Sequence, residues 1–180
     1  MERTTVPEIF EGEIDWVRMP GDDQEWIFQF NRHRFWICLG QAYALTKDEK
    51  YAKAFVSQLT HWIKNVKKDD PKNEKAWRTI EAGLRLEYWF KAICYFENSP
   101  SLTDEVYDIF EKSIIEHAEY LMDVYDTFRL VSNWGVLQNH GLLIAGIMLP
   151  ETKRSIEYRE EALRRLAEEI TIQVYGDIYN

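Results

Sequence analysis

Three short segments of the sequence combine polar and aromatic side chains of the types that bind ligands or move protons. They are residues 31–36 (NRHRFW), residues 77–86 (WRTIEAGLRL) and residues 132–142 (SNWGVLQNHGL). Arginines beside aromatic rings suit the recognition of carboxylates and sulfates. Amide and imidazole groups in an apolar helix are costly to bury unless they are hydrogen-bonded. These three segments are therefore the candidate functional sites of the chain.

The first segment is expected at the start of a helix. Backbone N–H groups at a helix N-terminus can hold an anion, and Asn31, Arg32, His33 and Arg34 would add polar side chains at that position. We predict that Asn31, Arg32 and His33 contribute to ligand binding. The alternative is an ordinary helix cap with solvated arginines.

The second segment places Arg78, Glu81 and Arg85 on one helical face, at the spacings i, i+3 and i+7. A salt-bridged solvent face is the ordinary explanation of such a pattern. Few other residues between Thr79 and Trp89 are charged, so most of this helix is expected to be buried by other parts of the protein. We predict that the three charged side chains bind an acidic ligand.

The third segment carries Gln138, Asn139 and His140 shortly after Trp134, within a helix that is otherwise apolar nearly all round. Such polar groups belong either to a functional site or to a buried network in which every group is hydrogen-bonded. The residue types alone leave both possibilities open.

Several classes of function are not supported by the sequence. The motifs HExxH, GxGxxG, GxxxxGK[ST] and GxSxG are absent, and the four histidines lack an i, i+4 pair. We therefore predict no metal site and no cofactor. Cys38 and Cys94 fit no metal or redox spacing and are predicted to be buried thiols.

The charge of the chain is concentrated at its start. The formal net charge is −9, and residues 1–30 hold eight acidic and two basic residues. We divide the chain into an acidic leading segment, 1–30, and a helical domain, 31–180. The sequence has no basic stripe for nucleic acid and no apolar run of the ~20 residues that a membrane span needs. Neither partner is expected.

Apolar residues recur at helical spacing from about residue 31 onward, which predicts an all-α protein of about six amphipathic helices. Asp48, Thr103 and Thr152 are predicted helix N-caps. Short polar loops between the helices predict antiparallel α-hairpins. Periodicity alone leaves three architectures open, namely a bundle, a solenoid or part of an (α/α) toroid.

Four motifs follow one another along the chain, namely residues 30–33 (FNRH), 46–51 (TKDEKY), 77–86 (WRTIEAGLRL) and 132–142 (SNWGVLQNHGL). Their types and order resemble the heparinase II/III family of polysaccharide lyases, especially the heparinase III type. The resemblance covers about residues 15–175. It implies an (α/α) toroid followed by a β-sandwich domain. The chain is similar to the first part of that toroid, and no sandwich is present. We therefore expect an incomplete toroid.

The resemblance also implies a reaction, the β-elimination of a uronate-containing glycosaminoglycan such as heparan sulfate, without a cofactor. Asn139 and His140 match the Asn-His pair that neutralises the uronate carboxylate. The catalytic tyrosine of the family belongs to a later motif, so neither Tyr175 nor Tyr179 is assigned that role. We expect this chain alone to be inactive.

The remaining candidates are assigned to binding of an acidic polysaccharide. The set comprises Asn31, Arg32, His33, Arg78, Glu81, Arg85, Trp134 and Gln138. The family is usually exported to the periplasm, so we expect the parent protein to be periplasmic or secreted. An incomplete toroid exposes apolar surface, which favours self-association.

Two other functions remain open. One is a hydrolase on an (α/α) toroid, for which Glu81 and Asp126 are the candidate acids, although nothing in the sequence pairs them. The other is a helical binding or interaction module without catalysis.

Overall fold

The computed structural model describes residues 9–21 and 23–174, and these residues form α-helices joined by short loops. No β-strand occurs in these two ranges, which confirms the all-α prediction. Tyr175 and Tyr179 lie outside the described residues. The helices are α1 (Gln24–Arg32), α2 (Phe35–Thr46), α3 (Glu49–Asn65), α4 (Thr79–Ile93), α5 (Asp104–Asp123), α6 (Thr127–Leu130), α7 (Asn133–Met148) and α8 (Lys153–Gln173), with 3-10 turns at Pro71–Trp77 and Cys94–Phe96.

Short polar side chains begin three of these helices. The side chains of Asp48 and Thr103 accept hydrogen bonds from backbone N–H groups in the first turns of α3 and α5. Thr152 and Ser155 form a reciprocal capping box at the start of α8. Each cap satisfies N–H groups that have no partner within the helix. The three predicted N-caps are confirmed.

The sequence pattern predicts one helix from about residue 31, but the chain breaks there into α1 and α2. His33 lies between them with φ 59°, in the left-handed region. Its buried ring stacks on Trp36, with 4.0 Å between ring centroids, and accepts a hydrogen bond from Trp89 Nε1. Trp89 is 56 residues away in the chain, so local periodicity does not reveal the break.

Neighbouring helices pack as hairpins, α2 with α3, α4 with α5 and α7 with α8. The α7–α8 pair is antiparallel, because Gly146 late in α7 contacts Arg159 early in α8, while Gly135 contacts Glu169 at the other end. Helix α4 lies among α1, α2, α5 and α7. The predicted α-hairpins are confirmed.

The core begins before α1. Trp16 is buried in the same apolar cluster as Trp36, Trp62 and Trp89, and α1 packs on α4. The boundary that we set at residue 30 falls inside α1, and the division into an acidic leading segment and a helical domain stays a prediction.

Two expectations about burial are wrong. Cys38 and Cys94 are exposed, because each lies on the side of its helix that faces away from the core. Helix α7 was expected to be buried nearly all round, but Val136, Ile147 and Met148 are exposed because α7 packs mainly on α4 and α8. No helix among the described residues combines the length and apolar character that a membrane span requires.

Candidate functional site

An open cleft of about 560 Å³ lies at the start of α4. Its walls come from four separate parts of the chain, namely the loop and 3-10 turn before α4, the first residues of α4, the end of α5, and the α6–α7 region. The lining residues are Lys68, Asp69, Asp70, Pro71, Glu74, Trp77, Arg78, Thr79, Tyr120, Arg129 and Trp134. Three cations and two indole rings thus share one surface.

Arg78 is the most firmly held cation of the cleft. Its Nε and Nη2 atoms donate to the two carboxylate oxygens of Glu81, both at 2.7 Å. The Arg78 guanidinium carbon lies 3.2 Å from the ring centroid of Phe28 and 4.8 Å from that of Trp134. A fork of two hydrogen bonds and two aromatic neighbours fixes the orientation of this guanidinium.

Glu81 binds a second arginine behind the cleft. Arg32 Nη2 donates to Glu81 Oε1 at 2.9 Å, and the Glu81 side chain has no exposed surface. A buried carboxylate is stable only when paired and hydrogen-bonded, and here it has two cationic partners. The sequence predicted Arg32, Arg78 and Glu81 as site residues, and the structure brings these three together.

The other groups of the cleft were missed by the sequence analysis. Lys68 pairs with the exposed Asp69 at 2.6 Å, and Arg129 pairs with Asp126 at 2.7 Å. Burial raises the pKa of Tyr120, although the positive charges of Arg129, Arg85 and Lys68 oppose that rise. The Tyr120 hydroxyl is therefore protonated at neutral pH and can donate a hydrogen bond.

Asn139 does not line the cleft. Its side chain is fully buried and donates to Glu169 Oε1 at 2.9 Å, joining α7 to α8. Tyr125 donates to the same oxygen at 3.1 Å. Burial raises the pKa of Glu169, and burial together with the nearby carboxylate raises that of Tyr125 to about 12. A catalytic role for Asn139 stays a prediction, and it requires the amide to leave Glu169.

His140 points to a different neighbour. Its Nδ1 atom lies 3.4 Å from Glu87 Oε2 on α4, and 43% of its side chain is exposed. Asn139 and His140 thus face different helices, as neighbouring residues of a helix must. His140 also does not line the cleft.

Two candidates of the first segment are interior hydrogen-bonding groups. Asn31 donates to the backbone oxygens of Trp16 and Ile27 and accepts from Trp62 Nε1. His33 is equally buried. Neither side chain can touch a polymer in this conformation, so the structure assigns both to the joint between α1, α3 and α4.

Arg85 is also closed to solvent. Its guanidinium donates to His117 Nε2 and to the backbone oxygens of Asn31 and Ala76. Burial lowers its pKa to about 9, which still leaves the group charged at neutral pH. It packs between Trp62 and Trp77. The expected contact of Arg85 with an acidic ligand is not made here.

Gln138 has a comparable role in the interior. It is buried and donates to the backbone oxygens of Leu121 and Val124, at the end of α5. Carbonyl groups at a helix C-terminus lack partners within the helix. Gln138 therefore joins the C-terminal end of α5 to α7. The expected contact of Gln138 with substrate is not made in this conformation.

The two carboxylates considered for a hydrolase are both paired with arginines. Glu81 is held by two arginines, and Asp126 caps α6 while pairing with Arg129. Of the predicted binding residues, Arg78 and Trp134 line the open cleft, and Arg32 and Glu81 support it.

A sequence profile described as Heparinase II/III N-terminus matches residues 4–179. The chain belongs to the heparinase II/III family. It is 30% identical over 183 aligned residues to a heparin-sulfate lyase of Bacteroides stercoris and 32% identical over 167 to one of Pedobacter heparinus, in each case over 92% of this chain. The chain spans about a quarter of those relatives, 27% and 25% of their length.

Solved structures of heparinase family members share the fold. A crystal structure of heparan sulfate lyase HepC from Pedobacter heparinus superposes with a TM-score of 0.82 at 31% identity, over 91% of this chain and 26% of that one. A crystal structure of heparinase III gives 0.84 at 27% identity, over 94% and 26%. The predicted family and the predicted all-α part of a toroid are confirmed.

Proposed function

We propose that this chain is the helical N-terminal part of a polysaccharide lyase that cleaves a uronate-containing glycosaminoglycan, similar to heparan sulfate, by β-elimination. The similarity to heparin-sulfate lyases over 92% of the chain carries this proposal. The cleft supports it, because the fixed guanidinium of Arg78 and the indole of Trp134 suit an acidic sugar.

The reaction removes the proton on C5 of the uronate, next to the carboxylate, and then breaks the C4–O bond. Removing that proton adds negative charge to the carboxylate, so hydrogen-bond donors that face it lower the barrier. Asn139 and His140 are the candidates for this role by family resemblance. A tyrosine in a later motif of the family would transfer the protons.

Product absorbance tests the reaction type. The full-length protein that carries this chain is incubated with heparan sulfate while near-ultraviolet absorbance is recorded. Elimination leaves a conjugated double bond, so we expect absorbance to grow as chains are cut. New reducing ends without absorbance would show a hydrolase, and neither signal would leave a binding module. The 180-residue chain alone is expected to give no turnover.

An alanine substitution tests Asn139 separately. In the full-length protein, Asn139→Ala is expected to lower turnover by about 10²-fold if the amide stabilises the reacting carboxylate. The same change removes a donor from buried Glu169, so thermal unfolding is measured in parallel. Asn65→Ala is the matched control, since Asn65 is exposed and bonds only within its own helix. Full activity of a destabilised Asn139→Ala protein would assign Asn139 to structure alone.

Three further properties are proposed from the family resemblance and the exposed surface. The parent protein acts in carbohydrate breakdown, and it is periplasmic or secreted. The 180-residue chain associates with a second copy through exposed apolar side chains of α7 and α8, among them Val136, Ile147, Leu163 and Ile170.

A further inference from the structure

The ion cluster behind the cleft has more positive than negative charge. Among the residues that the structure describes, Glu81 is the single carboxylate in contact with both Arg32 and Arg78, so the three side chains carry a net charge of about plus one. Arg32 also lies 3.5 Å from Glu25. Glu25 is 55% exposed, and an exposed pair at this distance is weak and screened.

One edge of the Arg78 guanidinium is free for a ligand. Glu81 occupies Nε and Nη2, and aromatic rings of Phe28 and Trp134 lie over the group. The Nη1 atom makes no hydrogen bond among the described residues. The Arg78 side chain is 26% exposed and lines the cleft. The free edge is thus held in a fixed direction.

The start of α4 adds donors at the same place. Arg78 occupies the N-cap position but supplies no side-chain acceptor for the N–H groups of the first turn. Thr79 lines the cleft and is 1% exposed, and its hydroxyl has no hydrogen-bond partner. A helix N-terminus carries partial positive charge.

We propose that the free edge of Arg78 and the N-terminus of α4 form a subsite for an oxyanion, either a sulfate or a carboxylate of the acidic sugar. Arg32 is a positioning residue. It neutralises part of the negative charge of Glu81, so that Arg78 keeps positive charge with which to attract the ligand. This inference rests on the proposed function, because the acidic sugar is its ligand.

The other charges of the cleft do not replace this cluster. Lys68 is matched by Asp69 and Arg129 by Asp126, while Asp70 pairs with Lys72. Each of these pairs is close to neutral overall. Glu74 also lines the cleft, but its side chain is exposed, so solvent and salt screen its negative charge. The fixed positive charge beside the cleft therefore comes from the two arginines that share Glu81.

A charge-rescue experiment tests the role of Arg32. Binding of a heparan sulfate oligosaccharide to the 180-residue chain is measured at low salt for Arg32→Gln, Glu81→Gln and the double variant. Arg32→Gln makes the cluster neutral and is expected to weaken binding about tenfold. Glu81→Gln raises the charge to about plus two but leaves one side-chain oxygen to accept from Arg78, so it measures how far the added charge offsets the weaker hold on Arg78. The double variant restores a charge of about plus one and should bind within roughly threefold of wild type.

Rescue by a second substitution separates charge from structure. A purely structural role of Arg32 predicts that the double variant, which lacks more contacts, binds no better than Arg32→Gln. That result, or wild-type affinity of Arg32→Gln, would overturn the proposal. Arg164→Gln is the control, since it removes one arginine charge from an exposed pair outside the cleft. Circular dichroism melts confirm that each variant is folded.

Two probes distinguish the source of the oxyanion. The same variants are titrated with the heparan sulfate oligosaccharide and with its desulfated, N-acetylated form, which keeps only carboxylates. A loss confined to the sulfated probe assigns the subsite to sulfate, and an equal loss with both assigns it to carboxylate. Wild type that binds neither probe would overturn the binding function together with the subsite. Wild type that binds while Arg32→Gln is unaffected would overturn the subsite alone.

Discussion

Arg85 shows how this protein uses polar side chains to join its helices. A fully buried guanidinium is costly unless its donors find acceptors. Arg85 Nε donates to His117 and Nη1 to two backbone oxygens, while Nη2 has no hydrogen-bond partner among the described residues. Asn31 and Gln138 serve other helix contacts in the same way. The polar groups that stand out in the sequence therefore stabilise the interior as well as the cleft.

The histidines around Arg85 make stability depend on pH. Burial, and then the charge of Arg85, holds the pKa of both His33 and His117 well below the usual value. Both are neutral in the folded protein, whereas in the unfolded chain they take up protons below about pH 6.5. Stability is thus fully present above that pH and is lost as pH falls.

We expect the free energy of unfolding to be nearly constant above pH 7 and to decrease between pH 6.5 and 5. Each histidine contributes up to about 1.4 kcal/mol per pH unit in that window. Urea unfolding followed by tryptophan fluorescence at pH 7.5, 6.5 and 5.5 measures the change. His140→Gln is the comparison variant, since 43% of the His140 side chain is exposed and it pairs with Glu87 instead of packing around Arg85. Equal stability at pH 7.5 and 5.5 would contradict the expectation.

At the scale of helices, α4 and α7 approach until their backbones touch. A Cβ atom on Gly141 would lie 2.3 Å from the backbone oxygen of Gly83. A Cβ on Gly83 would lie 2.6 Å from the backbone oxygen of Leu137. Glycine at both positions is therefore required by the close packing of the two helices.

Gly141→Ala is expected to destabilise the protein by about 1–3 kcal/mol, because backbone atoms must move apart to admit the methyl group. The sign is diagnostic, since in an ordinary helix interior the same change stabilises by about 1 kcal/mol. Urea unfolding measures the difference.

Gly40→Ala is the matched comparison for this prediction. Its new methyl would meet the ring of Tyr95, at 2.6 Å. The methyl would also lie 2.7 Å from the Tyr95 Cβ atom, which side-chain rotation does not move, so the Cys94–Phe96 turn must shift as well. Gly40→Ala is therefore expected to destabilise the protein too. A stabilising effect of Gly141→Ala would show that the α4–α7 contact yields more easily than its geometry indicates.

Local signals account for the parts of the fold that the sequence predicted. Asp48, Thr103 and Thr152 cap helices through bonds to residues two or three positions away, so their spacing is visible in the sequence. The break at His33 depends on Trp36 and Trp89. No local pattern reveals a contact between residues 56 positions apart.

The site was predictable only in part, for a related reason. Arg78 and Trp134 are each next to other polar and aromatic residues in the sequence, and this local pattern predicts both as site residues. Lys68, Tyr120 and Arg129 carry no motif, and the cleft exists only once separated segments are packed together. The pattern also cannot tell a buried hydrogen-bonding group from an exposed one.

For the molecule as a whole, net charge and local charge have opposite effects on an acidic polymer. The chain carries −9 overall, so a polyanion is repelled at long range. Attraction must come from the guanidinium groups at the cleft, within about one Debye length, ~8 Å at physiological salt.

The α7–α8 hairpin exposes several apolar side chains. Val136 and Ile147 on α7 and Leu163 and Ile170 on α8 are exposed, Ile170 by 60%. Covering apolar surface releases roughly 25 cal/mol per Å², which favours pairing of two copies through the same helices.

We expect the 180-residue chain to form a reversible dimer as its concentration is raised, detected as an increase of the weight-average mass in light scattering. Ile170→Lys should shift the dissociation constant upward by about tenfold or more, because the pairing would then bury a charge. Leu45→Lys is the control, since Leu45 is 86% exposed on α2, away from the hairpin, and should leave the dimer unchanged. A wild-type chain that stays monomeric at high concentration would exclude this interface, and equal effects of the two lysines would assign association to general surface hydrophobicity.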